Sequence, residues 1–524
     1  MSVDFVQVPP DSTGKMINHK LGFVLAYSSG TIDFKVGDIV VGVSSGTQGI
    51  VTHVEGTTAS GFIQCEHIHG TTTIWTNGEN IQVNGVTNAV AGNQTNYYTP
   101  KAIQVGANNS ENGQYVDNQG QGYVRFAEGA PQFDAFGKMR VSEATTVAEY
   151  IHDYDTLPEQ YQDITATAGT ITHIAGEAGV KLSCTTASGS QAKRVSHTYH
   201  PYLAGRSQLI EMTAAIGDTG KANVKRIWGY GDDDDGVFFQ LNGTSLQLVV
   251  RNSTGSTAAE VVIDQADWNV DKLDGTGLSG YNADVSKNNI YWIDLQWLGA
   301  GTVRFGVVAD GLRITCHEQK HANTLNSVYM RTGSLPLYYE QINTGVSAST
   351  SEFKFFCGVV KVEGPLKPHY SGFAGALPKK TVTTTGVYLG SFRSKQTLNT
   401  FDNRVLAFGE LLEFFSDTEL VTIKMYKNAT LTAATWLGDP DADSSVEFDT
   451  GASAISGGRL INQWLLPTGI LKQINLSDIF NFQGEMMRRH ATITDFDSYS
   501  FVVDLETGTT TDIYMTANWK EVRD

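Results

Sequence analysis

At 524 residues the chain exceeds the length at which a single core stops growing, and with 40% hydrophobic and 18% charged residues it is too apolar for a disordered tail, so about three domains of roughly 100 to 200 residues are expected. Fifty-four glycines against 12 prolines point to a turn-rich β protein and exclude a collagen-like repeat. A formal net charge of −18 argues against nucleic acid as the main ligand, because affinity for phosphates is built from clustered Lys and Arg.

The first residues, Met1-Ser-Val-Asp-Phe5, lack the basic start and apolar core of a signal peptide, and no run approaches the roughly 18 apolar residues of a membrane helix, so synthesis in a cytoplasm and no membrane span are expected. Within residues 1–95, short strands such as Leu21–Ala26 and Asp38–Val43 alternate with Gly, Ser, Thr and Asn turns. Gly37-Asp-Ile-Val-Val-Gly42 and Gly78-Glu-Asn-Ile-Gln-Val-Asn-Gly85 both place Gly then an acid before a short strand, which suits a small β-barrel of related hairpins. Gly42-Val-Ser-Ser-Gly46 spells a nucleophile elbow, but strand and turn follow where the motif requires a helix.

Residues 96–144 are polar, rich in Gln, Asn and Gly, and read as an exposed arm. The arm ends in Phe133-Asp-Ala-Phe-Gly-Lys-Met-Arg-Val-Ser142, which mixes aromatic, acidic, glycine and basic residues with no catalytic chemistry to explain them. Phe133 and Phe136 suit apolar anchors, Gly137 a turn, and Asp134 with Arg140 a local ion pair, so an assembly role is expected of these residues.

Residues 145–363 carry strongly written strands, among them Leu209–Thr213, Ile290–Trp297, Val303–Val308 and Phe353–Val360, with Val237–Val250 reading as a hairpin turned at Asn242-Gly243. Many short strands without helical periodicity predict a jelly-roll or concanavalin-like β-sandwich. Asp232-Asp-Asp-Asp235 reads as a solvated turn, the usual fate of a charge run, and lacks the oxygen spacing of a calcium loop. In Asp267-Trp-Asn-Val-Asp-Lys-Leu-Asp-Gly-Thr-Gly-Leu-Ser-Gly280, an aromatic face beside acids makes Trp268, Asp271 and Asp274 candidate glycan contacts, set against Trp268 as a core residue. The embedded Gly275-Thr-Gly-Leu-Ser-Gly280 neither follows a strand nor opens a helix and reads as a β-turn, not a dinucleotide fingerprint. His317-Glu-Gln-Lys-His321 matches a zinc-protease motif in letters, but it begins as strand where the metal needs both histidines on one helical face.

Pro365, Pro368 and Pro378 mark a linker over 364–380, and residues 381–524 return to β patterning, with one short helix conceivable over Asn475–Phe480. Cys65, Cys184, Cys316 and Cys357 have no ligand or disulfide spacing and read as buried free thiols. Nothing calls for a cofactor or metal, and no catalytic constellation is legible, although a carboxylate pair defined only in space escapes sequence reading.

The Phe133–Ser142 segment resembles the F-D-A-F-G-[RK]-[LM]-R-[VT]-S segment of virion structural proteins of tailed bacteriophages, especially marine ones. Trp268–Gly280, Trp292–Gly299, His321-Ala-Asn323 and Leu335–Glu340 are similar to the same family. The resemblance implies a particle component, not an enzyme, with other virion proteins as partners and the virion as its location; the residue patterns make it an all-β multidomain protein whose N-terminal barrel is expected to serve attachment. Tail, baseplate or fibre is the expected place, as a symmetric oligomer, with a capsid decoration or head fibre as the rival. A glycan-binding receptor-recognition module and a polysaccharide depolymerase are the readings from other classes.

Overall fold

The computed structural model describes residues 22–67, 75–95, three short strands between 102 and 124, and 144–523 apart from 255–257, 310, 367, 438–442, 482–483 and 490–495. Its all-β, multidomain architecture is the one the sequence predicts. Two compact units divide the chain, Met1–Gln132 and Phe133–Asp524.

In the first unit, six antiparallel strands from Gly22–Ser28 to Val86–Thr95 close into a barrel around Leu25, Val40, Val51, Ile63, Trp75 and Ile81. The two Gly-acid segments are structural as well as sequence repeats. Gly37 and Gly78 take φ of 98° and 83°, conformations open to glycine without a Cβ penalty. Each acid's carbonyl, on Asp38 and Glu79, accepts a 2.8 Å bond from the next strand, and the two launched strands, Ile39–Gly42 and Asn80–Val83, pair antiparallel with Val40 opposite Val83. Farther on, Ala102–Gln104, Gly113–Val116 and Gly122–Val124 form a three-stranded antiparallel sheet inside the segment that composition reads as an arm.

In the second unit, residues 145–362 form a sandwich of a nine-stranded and a seven-stranded antiparallel sheet. Alternation along the strands places Trp228, Phe239, Tyr291, Phe305, Tyr339 and Phe353 between the sheets, all buried. Each such ring removes about 150–250 Å² from water, roughly 4–6 kcal/mol of gross transfer free energy at about 25 cal/mol/Å². The Gly236–Asn242 and Ser245–Asn252 strands form the predicted hairpin, but Asn242 pairs with Ser245, so the loop is Gly243-Thr244 and only Gly243 is left-handed, with φ of 61°. Glycine at the first loop position is what a type II′ turn requires.

The C-terminal domain packs a four-stranded sheet on a six-stranded one around Phe392, Phe414, Phe448, Phe501 and Trp519. Its first strand, Tyr370–Val382, occupies most of the expected linker. Pro378 is tolerated there because the strand lies at the sheet edge and Pro378 falls in the register shift between Leu377 and Lys380, where no ladder bond needs its missing N–H. Asn475–Phe480 forms no helix; it leaves the strand Leu471–Asn475 through a turn closed by Phe480 N donating to Leu476 O at 2.8 Å.

The two domains of this unit meet through buried ions. The Arg488 guanidinium donates from Nε to Asp497 Oδ2, from Nη1 to Thr198 Oγ1 and from Nη2 to the Glu159 carbonyl, each at 2.7 Å. Lys427 Nζ, 3% exposed, lies 2.7 Å from Glu485, 3.6 Å from Asp497 and 3.4 Å from Glu159.

Candidate functional site

Phe133, Asp134, Phe136, Gly137 and Arg140 lie outside the described residues. The other predicted contacts are placed, and they present no sugar site. Trp268 is 3% exposed and belongs to the sandwich core, so it has no free face for a sugar ring. Asp271 is buried and accepts from Leu273 N at 2.9 Å and Ser279 N at 2.8 Å, spending both carboxylate oxygens on its own loop. A Cβ at Gly277 would fall 2.1 Å from Asp271 Oδ1, which explains glycine at that position, while Gly275 and Gly280 take the left-handed φ of 84° and 66°. Asp274 is exposed but closes a local turn on Thr276, accepting from its N and Oγ1.

The Asp232–Asp235 run departs from the solvated-turn expectation. Asp235 is fully buried and Asp232 nearly so. Asp232 takes a 2.6 Å bond from Arg404 of the C-terminal domain and Asp235 accepts from Arg331 N and Ser253 Oγ, while Asp233 faces the other way and accepts from Lys193 and Tyr338. Asp232 and Asp235 are buried because arginines converge on them from two domains, while Asp233 and Asp234 stay exposed or half-exposed as the turn reading expects.

His317 and His321 both pair elsewhere. The first sits at the end of the strand Leu312–Gln319 and accepts from Asn269 N; the second donates from Nδ1 to Gly301 O at 2.8 Å and stacks on Tyr329. Among the described residues no group of His, Cys, Asp and Glu is arranged to hold a metal ion. In Gly42–Gly46, the N–H groups of Ser44 and Ser45 both donate to Glu79 Oε2, which closes a turn.

Among the described residues, an open groove of about 690 Å³ lies on the outer face of the nine-stranded sheet and gathers charged and polar side chains. Strand alternation explains its lining. Cys357, Val359 and Lys361 point outward from one strand, Leu209, Glu211 and Thr213 from its neighbour, and Glu149 and Ile151 from the edge strand Thr145–Ile151. At its centre Glu211 accepts from Arg313 Nη2 at 2.5 Å and from Lys361 Nζ at 2.9 Å. Burial would raise the Glu211 carboxyl, but the Lys361 and Arg313 bonds outweigh it and hold it below the ordinary carboxylate range. Glu149 and Glu363 add acceptors, Thr146 and Thr213 hydroxyls, and Ile151 and Ile290, about half exposed, an apolar rim. Three of the four cysteines are buried as expected, but Cys357 is exposed in this groove.

Sequence reasoning missed the groove because its residues come from strands far apart in the chain, and its one local signal is the outward alternation of Glu211-Met-Thr213.

No protein-family model matches the chain, and no curated protein does. Solved structures similar to part of it include the Emp47p carbohydrate recognition domain, at 12% identity and a TM-score of 0.27 over 43% of this chain and 99% of that one. A legume lectin-like domain from Entamoeba histolytica is similar at 10% identity and 0.27, over 42% and 98%. A glycoside hydrolase family protein from Mycobacterium thermorestibile is similar at 10% identity and 0.28, over 41% and 99%.

Proposed function

We propose that the chain is a structural component of a tailed-phage particle, in a tail, baseplate or fibre, and that its central sandwich holds host-surface glycan in the groove of the nine-stranded sheet. Particle membership is supported by the Phe133–Ser142 segment and its companion segments in the sandwich. Glycan binding is carried by one observation: the groove fixes donors and acceptors side by side, with Glu211 held between Arg313 and Lys361 and flanked by Glu149. Sugar hydroxyls both donate and accept, so they suit such a mixed, pre-organised lining, and the isoleucine rim suits the C–H edges of the ring. The role is one of binding and assembly, with no reaction catalysed.

The test of binding is a glycan array followed by calorimetry on the intact chain. Glu149→Ala, on an exposed side chain, and Glu211→Gln should weaken the best ligand about tenfold or more, as loss of a charged hydrogen bond does, while Asp274→Ala should leave it unchanged. A ligand whose affinity ignores both groove variants, or no ligand at all, defeats the glycan reading. Particle membership is tested separately by locating the chain in a cryo-electron microscopy map of purified virions, and its absence there defeats that half.

A further inference from the structure

The seven-stranded sheet ends in the strand Ala259–Asp264, which pairs with Ser245–Asn252 on one side and with no described strand on the other. Edge strands present unpaired N–H and C=O groups and are ordinarily blunted by proline, lysine, a bulge or a covering loop. The edge of the other sheet is covered: Val270 N and Asp271 N donate to Cys316 O, and Asn269 exchanges bonds with the backbone of Glu318, all along Leu312–Gln319. Among the described residues no loop covers Ala259–Asp264 in this way. Its sequence, Ala-Glu-Val-Val-Ile-Asp, contains no proline or lysine, and its ladder to Ser245–Asn252 runs without a bulge. Its two acids are turned back into their own sheet, Glu260 onto Arg251 at 2.7 Å and Asp264 onto Gln247 at 2.7 Å. Val261 and Val262, on opposite faces, are left 50% and 46% exposed.

We propose that this edge pairs antiparallel with the same strand of a second copy, joining two seven-stranded sheets across a two-fold axis. The axis runs perpendicular to the sheet and keeps each side chain on its own face, so a residue at the centre must oppose itself. Two registers centre on the valines. Centred on Val262, Glu260 would oppose Asp264 of the partner subunit, a like-charge pair that disfavours pairing. Centred on Val261, Glu260 opposes Val262 of the partner subunit and Asp264 opposes Ala258 of the partner subunit, with no like charges opposed. The strand is therefore self-complementary in one register, which selects a second copy as its occupant. Because each copy carries a net charge of −18, association should strengthen as salt screens the repulsion.

The experiment is sedimentation velocity on the full chain across a salt series, with thermal unfolding to show that each variant is folded. Wild type should be dimeric. Val261→Lys sets two like charges face to face at the axis and should raise the dimer dissociation constant about tenfold or more. Val261→Glu should do the same, and mixing the two variants should restore a dimer, because position 261 faces itself. A monomeric wild type, a dimer indifferent to Val261→Lys, or failure of the mixed variants to reassociate overturns the proposal. None of these outcomes depends on glycan binding.

Discussion

Replacing Arg488 by Met tests whether the sandwich and the C-terminal domain are held together by buried charge or merely abut. Met keeps most of the aliphatic volume and removes three donors, those serving Asp497, Thr198 and the Glu159 carbonyl, each at 2.7 Å. Two of these bonds cross between the domains. Asp497 is fully buried, and after the substitution Lys427 Nζ, at 3.6 Å, is the nearest cation left to it. Removing one partner of a buried pair costs about 3–5 kcal/mol, because the other charge stays desolvated. Lys427 returns part of this, so a loss of about 2–4 kcal/mol is expected. A multidomain chain need not unfold in two states, so the assay is urea denaturation followed separately by fluorescence and circular dichroism. The variant should separate the unfolding of the two domains into distinct transitions. A loss below about 1 kcal/mol, the range of a surface pair, with the transitions still coincident, would show that the joint is held by packing and refute the reasoning.

Three further outcomes follow from named contacts. His152 and His200 are buried, and burial lowers both to about 4 although each also donates to a backbone carbonyl, Phe356 O or Leu335 O, which acts in the opposite direction. Their folded values lie below the unfolded value of about 6.5, so stability should fall as pH drops from about 6.5 towards 4, by up to about 1.4 kcal/mol per pH unit for each histidine. Denaturation across that window should show the slope, and it should be shallower in His152→Gln, with His200, His317 and His321, all lowered by burial, supplying the remainder. Trp268→Ala should cost about 3–5 kcal/mol as a core truncation, and saccharide affinity measured below its unfolding temperature should not change. Gly306→Ala places a Cβ 2.2 Å from Ile314 O and 2.4 Å from Trp292 Cζ2, so both the neighbouring backbone and the Trp292 ring must shift and thermal stability should drop by about 1–3 kcal/mol. An unchanged melting temperature would show that the Ile314 backbone and the Trp292 ring both give way without cost.

Much of the fold was legible because a strand's period is local. Outward Glu211 and Thr213 alternate with buried Ile210 and Met212 in four consecutive letters, and Gly243 signals its turn within one residue of where it falls. The β-barrel repeat was visible for the same reason, since Gly37 and Gly78 answer a backbone need met within a few residues. The fate of a charge or a ring is decided at long range. Asp232 reads as a surface acid until Arg404, 172 positions later in the chain, is brought to 2.6 Å from it. Trp268 beside acids spells a sugar platform in one dimension and is a core residue in three. Pro378 marks a linker by propensity, yet an edge position and a bulge supply the one strand environment that has no use for its N–H. Composition, alternation and turn chemistry by themselves determined an all-β chain of several domains, because those signals act between neighbours. Only tertiary structure decided which acids are clamps, which aromatic is core and which edge is left unpaired, because burial and charge pairing depend on strands that meet only when the sheets close.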